Sequence, residues 1–291
     1  MRRVSDSKAL RGIFCPLTTP FNHRGELYPA KIRSNVARLA RTTLSGYVVG
    51  DEPGEGFRLT AAEREQLFSL SSEAAGGEKT LIAAVSADSN AESLQLACAA
   101  QRSGYGFVAA RPVRGAGSNA EALQSLYFRT LADRSPLPVL VCGADGLSAA
   151  TAQALAGHPN VAAIGLDGGS VDALAGLLAA GVTTLWGSEA SLSAAWRAGA
   201  RGFILPLANA VPFYLLCIEE ALRTRDDAAA DELTSRAAVA FERAYGELGV
   251  AGLKRALDLR GGYGGVPRLP ETPISPAEAT AIEAMLDGLA S

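Results

Sequence analysis

Eight short, almost unbroken apolar runs recur along the chain: GIFCPLT (12–18), GYVVG (46–50), TLIAAVS (80–86), GFVAAR (106–111), LPVLVCG (137–143), VAAIGLD (161–167), TTLWGS (183–188) and GFILPL (202–207). A strand with one wet face alternates apolar and polar residues. A strand buried on both faces does not, and such strands belong to parallel sheets covered by helices. Ala-rich helical stretches separate the runs, supplying the crossovers that parallel strands require. Eight β–α units in series predict an α/β protein of one kind, a closed (β/α)8 TIM barrel. The 291 residues leave room for two domains, but barrels of this type reach that size as one.

Helix starts are announced by hydroxyl residues followed three positions later by glutamate: Thr60 with Glu63, Ser89 with Glu92, and Ser118 with Glu121. In that arrangement side chains and free backbone amides satisfy each other. Gly46, Gly104 and Gly199 are read as helix stops. Beyond the eighth run the pattern turns wholly helical, at 211–224, 226–246 and 249–259, then a GGYGG joint at 261–265. A last helix opens at Ser275-Pro276 with Glu278 three residues on. The expected organisation is a barrel over 1–210 and a helical extension over 211–291 packed on it.

The remaining composition narrows the function classes. A 48% hydrophobic content allows a large core. A net charge of −3 and a pI near 5.6 give no basic field for nucleic acid. No apolar run is long enough for a membrane span, and MRRVSDSKALRG lacks the apolar region of a signal peptide. Four scattered cysteines, Cys15, Cys98, Cys142 and Cys217, fit reduced thiols in the cytoplasm. No cofactor motif is present.

Barrel chemistry sits at the C-terminal ends of the strands. That rule gathers Asp51, Glu52, Gly54 and Glu55 after strand 2, Asp88 after strand 3, and Arg111 and Arg114 after strand 4. Cys142 and Asp145 follow strand 5, Gly165 and Asp167 end strand 6, and Ser188 and Glu189 follow strand 7. His23 follows strand 1, whereas His158 precedes strand 6 and reads as a turn residue. The turns GAGSN (115–119) and DGGS (167–170) lead into helix starts, which favour anions; positive backbone φ is the simpler explanation of their glycines. Cys142 could be a nucleophile, but its only candidate base is His23, and free cysteine is usually buried and inert.

Several stretches then resemble one family in order and spacing. CPLTTPF (15–21), GDEPGEGFRLT (50–60), HPNVAAIG (158–165), LWGSEA (185–190), GFILPLAN (202–209), LKRAL (253–257) and RLPETPI (268–274) are similar to the dihydrodipicolinate synthase and N-acetylneuraminate lyase superfamily. The resemblance implies a (β/α)8 barrel with a helical tail, assembled as dimers or tetramers. It implies lyase or aldolase chemistry on pyruvate through a lysine imine, with a tyrosine moving protons. The lysine position falls on Gly165 and the tyrosine position on Cys142. The carboxylate-binding Thr-Thr pair becomes Asp51, Glu52 and Pro53, while Gly54 and Glu55 remain.

Only a protonated imine supplies that chemistry with its electron sink. The remaining lysines, Lys8, Lys31, Lys79 and Lys254, are read as lying off the functional face, and arginine stays protonated. The expectation is a divergent relative without Schiff-base chemistry, binding a small organic acid or nothing. The alternative is a lysine-independent lyase acting on an oxo acid, assisted by a divalent metal drawn from Asp51, Glu52, Asp145, Asp167 and Glu189. Arg111 and Arg114 are expected to pair internally with Asp51 or Glu52.

Overall fold

A computed structural model describes residues 7–114 and 120–289 of the chain. Its eight strands close into one parallel barrel in the order β1-β2-β3-β4-β5-β6-β7-β8. They are β1 (Gly12–Leu17), β2 (Gly46–Val49), β3 (Thr80–Ala84), β4 (Phe107–Ala110), β5 (Val139–Val141), β6 (Val161–Leu166), β7 (Thr184–Trp186) and β8 (Gly202–Ile204). Between them run α1 (Pro29–Ala40), α2 (Ala61–Ala75), α3 (Asn90–Arg102), α4 (Ala120–Arg134), α5 (Ala149–Ala156), α6 (Val171–Ala179) and α7 (Leu192–Ala198). Barrel closure is made by β1 against β8, with Gly12 opposite Gly202.

All eight apolar runs form strands, each shorter than its run. In β5 the cause is visible: Pro138 has no amide to donate, and Gly143 turns to φ +66°. Strand-side alternation sorts the core into two layers. Phe14, Val48, Ile82, Ala84, Leu140, Cys142 and Ala163 point into the barrel. Ile13, Cys15, Tyr47, Val49, Val108 and Trp186 join the layer under the helices. Burying each large side chain is worth about 1.5–3 kcal/mol, so this double layer is the main stabilising mass.

The capping boxes at Thr60–Glu63 and Ser275–Glu278 are complete, and Ser89 accepts from Glu92 N. The Ser118–Glu121 pairing and the GAGSN turn involve positions outside the described residues. Gly104 and Gly199 end helices at positive φ as expected. Gly46 does not: it opens β2, and a Cβ there would lie 2.0 Å from the Thr80 carbonyl oxygen. Close approach of β3, not a helix stop, requires that glycine.

After β8 come α8 (Pro212–Thr224), α9 (Asp227–Phe241), α10 (Gly249–Leu259) and α11 (Pro276–Asp287). The helix expected over 226–246 changes character at its end, where Glu242–Gly246 form a π-helical turn. No helix among the described residues is long and apolar enough to cross a membrane.

Candidate binding site at the barrel mouth

At the C-terminal ends of the strands lies a cavity of about 120 Å³. Its floor and walls come from Pro16, Cys142, Gly165, Leu166, Leu185, Trp186, Ile204 and Pro206; Asp51, Glu52, Arg111 and Asp167 line its polar side. A wider, open cleft of about 490 Å³ shares Glu52, Phe241 and Tyr245 with it and adds Phe57, Arg58, Arg114 and Glu271.

The loop after β2 builds the polar side. A short 3-10 turn over Glu52–Gly54 starts at Asp51, whose carbonyl accepts from Gly54 N and Gly56 N. A Cβ at Gly54 would stand 2.7 Å from the Leu17 carbonyl oxygen, so only glycine lets the turn lie against β1. The turn buries Asp51 and leaves Glu52 exposed.

Arg111, at the end of β4, completes an ion-pair chain. Its Nε and Nη2 donate to the Asp51 carboxylate at 2.8 and 3.0 Å, a two-pronged arrangement. Its Nη1 donates to Asp167 Oδ2. The chain continues to Asp145, which accepts from Asp167 N at 2.5 Å and Gly169 N at 3.1 Å. Burial alone would raise the Asp51 carboxyl, but the charge and hydrogen bonds of Arg111 outweigh it and hold it below its usual value. For Asp167 burial wins over the pull of Arg111, and the carboxyl is raised. Arg111 itself is opposed by burial, yet the two aspartates hold its pKa above the ordinary value.

The other expected residues scatter. Among the described residues Arg114 pairs with no acid; its guanidinium lies over the half-exposed Phe57 ring, 4.1 Å from the centroid. Glu55 is fully buried and lines the outer cleft but not the inner cavity, held by Lys254 Nζ at 2.5 Å, by Arg268 N at 2.8 Å and more loosely by Arg58 at 3.8 Å. Lys254, read as remote in the tail, therefore reaches the rim of the functional face but is committed to Glu55 and to the Phe21 ring. Burial lowers its pKa although Glu55 pulls the other way.

Glu189 is buried, accepts from Leu207 N at 2.9 Å, and among the described residues has no hydrogen-bond partner for Oε2; burial pushes its pKa to about 8. Ser188 is buried beside Gly168, where a Cβ would stand 2.4 Å from the serine Cβ. Gly168 has φ +107°, so the DGGS turn needs glycine for conformation, and Asp145 already fills its anion-facing amides. Cys142 is buried and its thiol is pushed up to about 12 by desolvation, against the counter-pull of Arg111. His23 is exposed and does not line the cavity, which removes the base a Cys142 nucleophile needs. His158 makes turn contacts with Asp133 and Asn160.

The proposed metal set is a correction. Among the described residues no group of three or more His, Cys, Asp or Glu is placed to hold an ion. Asp51 and Asp167 are spent on Arg111, Asp145 on backbone amides, and Glu189 on Leu207; Glu52 is left alone.

Sequence reasoning missed Phe241 and Tyr245. The π-helical turn begins just after Phe241 and contains Tyr245, and both rings line the mouth. Tyr245 is raised by burial and by the neighbouring carboxylates of Glu52 and Asp51. The residues ERAYG continue a helical pattern without interruption, so no local signal marks the turn.

The sequence profile of the Dihydrodipicolinate synthetase family matches residues 9–289. The chain belongs to that family. Among relatives of this dihydrodipicolinate synthetase family member, a 4-hydroxy-tetrahydrodipicolinate synthase from Exiguobacterium sp. is 27% identical over 284 residues, covering 94% of this chain and 96% of the relative. An N-acetylneuraminate lyase from Salmonella paratyphi B is 42% identical over 104 residues, 36% of this chain and 35% of the lyase. A dihydrodipicolinate synthase family structure from Coccidioides immitis superposes with a TM-score of 0.88 at 26% identity, covering all of this chain and 97% of the other.

Proposed function

We propose that this chain is a family member that binds a small organic molecule in the barrel mouth and forms no imine with it. The observation that carries the reading is the cavity lining: its one cation is Arg111, already engaged by Asp51 and Asp167, and no lysine is among its lining residues. Of the lysines whose side chains are described, Lys31 lies against Tyr263, Lys79 donates to carbonyls of Thr42 and Leu44, and Lys254 is held by Glu55. Gly165 and Cys142 stand where the family resemblance puts the lysine and the tyrosine. The lyase and synthase activities named for the relatives rest, in that resemblance, on a reactive amine, and without it an oxo acid has no electron sink here. The resemblance further carries a dimeric or tetrameric assembly into this proposal, and the scattered cysteines carry a cytoplasmic setting; light scattering tests the assembly.

Borohydride reduction in the presence of pyruvate is expected to leave the intact mass unchanged. A stable adduct on any lysine overturns the proposal. Calorimetry is expected to show no micromolar pyruvate binding, because the polar side of the cavity carries more carboxylate than guanidinium.

A further inference from the structure

Three carboxylates, Asp51, Glu52 and Asp167, face a single guanidinium in the inner cavity. Asp51 is satisfied by Arg111, and Asp167 shares the same cation. Glu52 is exposed and its carboxylate meets no hydrogen-bond or ion-pair partner among the described residues; it lines both the inner cavity and the outer cleft. Arg114 offers no compensation inside, since it lines only the outer cleft and lies over Phe57.

Independent of this charge excess, the cavity carries surfaces suited to one kind of guest. Phe241 and Tyr245 line it, and aromatic faces attract desolvated ammonium groups. Pro16, Leu185, Ile204 and Pro206 give it an apolar floor for a short alkyl body. Cys142, a residue only 3% exposed, also lines this floor. An anion in the inner cavity would face Glu52 and Asp167, with Arg111 as its one lining cation and already engaged.

We propose that the inner cavity takes a small organic cation, a primary or methylated ammonium on a short alkyl body. Its nitrogen lies toward Glu52 and Asp167, within reach of Phe241 and Tyr245, and its alkyl part lies on the apolar floor. The assignment rests on the reading of the mouth as a small-molecule site without imine chemistry, and it reverses the ligand charge the family resemblance implies.

The test compares three probes of equal carbon count, propylammonium, propanol and propanoate, by ligand-observed NMR titration at fixed ionic strength and pH 7.5. Propylammonium is expected to bind about tenfold more tightly than propanol, with propanoate weaker still, and added salt should erode the preference. Glu52→Gln, at an exposed turn position, is expected to weaken propylammonium by about fivefold to tenfold while leaving propanol unchanged. Tyr245→Leu is expected to weaken it as well, and circular dichroism confirms that both variants are folded. Propanoate binding as tightly as propylammonium overturns the assignment, as does cation binding that both variants leave intact. The borohydride experiment keeps the two proposals apart. An adduct with pyruvate sinks the parent reading, whereas no adduct and no ammonium preference sinks the cation assignment alone.

Discussion

Replacing Arg111 by methionine removes the fork that Asp51 accepts while keeping most of the stem's volume. The Asp51 side chain is only 6% exposed, so the variant leaves a carboxylate in a low-dielectric pocket without its partner. Deleting one member of a buried ion pair costs about 3–5 kcal/mol. The Asp167 side chain is 47% exposed; water takes over its solvation, and that arm adds only about 0–1 kcal/mol. For a chain of this size each kcal/mol moves Tm by roughly 2 °C, so a fall of about 6–12 °C is expected at pH 7.5. The sign of the pH dependence follows from Asp51. In the native protein its carboxyl sits below the ordinary 3.8, so its stabilising contribution is complete above that value and is lost as pH falls through the folded pKa. Without Arg111, burial raises the carboxyl instead. The deficit of the variant is then largest near neutral pH and shrinks toward pH 5, as Asp51 takes up a proton. Adding Asp51→Asn to Arg111→Met should recover more than half of the loss. Thermal melts by circular dichroism at pH 7.5 and 5.0, set out as a double-mutant cycle, measure all of this. A loss below about 1 kcal/mol, or a double variant as unstable as the single one, refutes the reasoning.

Three further outcomes are expected. Lys254→Met should cost about 3–5 kcal/mol in denaturant unfolding because buried Glu55 loses its closest cation, keeping only the Arg268 amide and Arg58 at 3.8 Å, and adding Glu55→Gln should restore much of it. Glu189→Gln keeps an acceptor for Leu207 N and removes a carboxyl whose pKa of about 8 lies well above its ordinary 4.5. The native protein should therefore lose stability relative to this variant as pH rises from about 4.5 to 8, with no further divergence above; parallel melting curves across that window contradict the assignment. Gly165→Ala places a Cβ 3.2 Å from Cys142 Sγ and 3.3 Å from its Cα, and since the backbone atom cannot swing aside, a loss of about 1–3 kcal/mol is expected from chemical denaturation.

The strand signals were readable because burial on both faces writes itself into consecutive residues. VAAIGLD is apolar almost throughout since both sides of β6 are covered. The strand ends were harder, as the Pro138 and Gly143 limits on β5 show: hydropathy extends past the point where amides stop pairing. Arg111 could be expected to find an acid, because β4 and β2 deliver both to the same rim. Which acid it chose was not legible, for Asp51 and Glu52 differ only in the direction the 3-10 turn gives them. Lys254 was placed off the face because its partner Glu55 lies some 200 positions earlier, a distance no periodicity spans. Tyr245 was invisible for the opposite reason, since an extra residue in a helical turn leaves composition and spacing helical.

The latch between the tail and the rim has a consequence for the order in which the protein is made. Arg268 donates to the Gly25 and Arg58 carbonyls and pairs with Glu63, while Lys254 and the Arg268 amide hold Glu55. Phe21 lies between the two cations, each 4.4 Å from its ring. On the ribosome all eight strands emerge before either cation does, at a pace of about 5–20 residues per second. For that interval Glu55 lacks Lys254 and the Arg268 amide, the partners that hold it closest, and has only Arg58, 3.8 Å away in the folded protein. The two closest holds on the loop after β2 are therefore added only once the tail has docked.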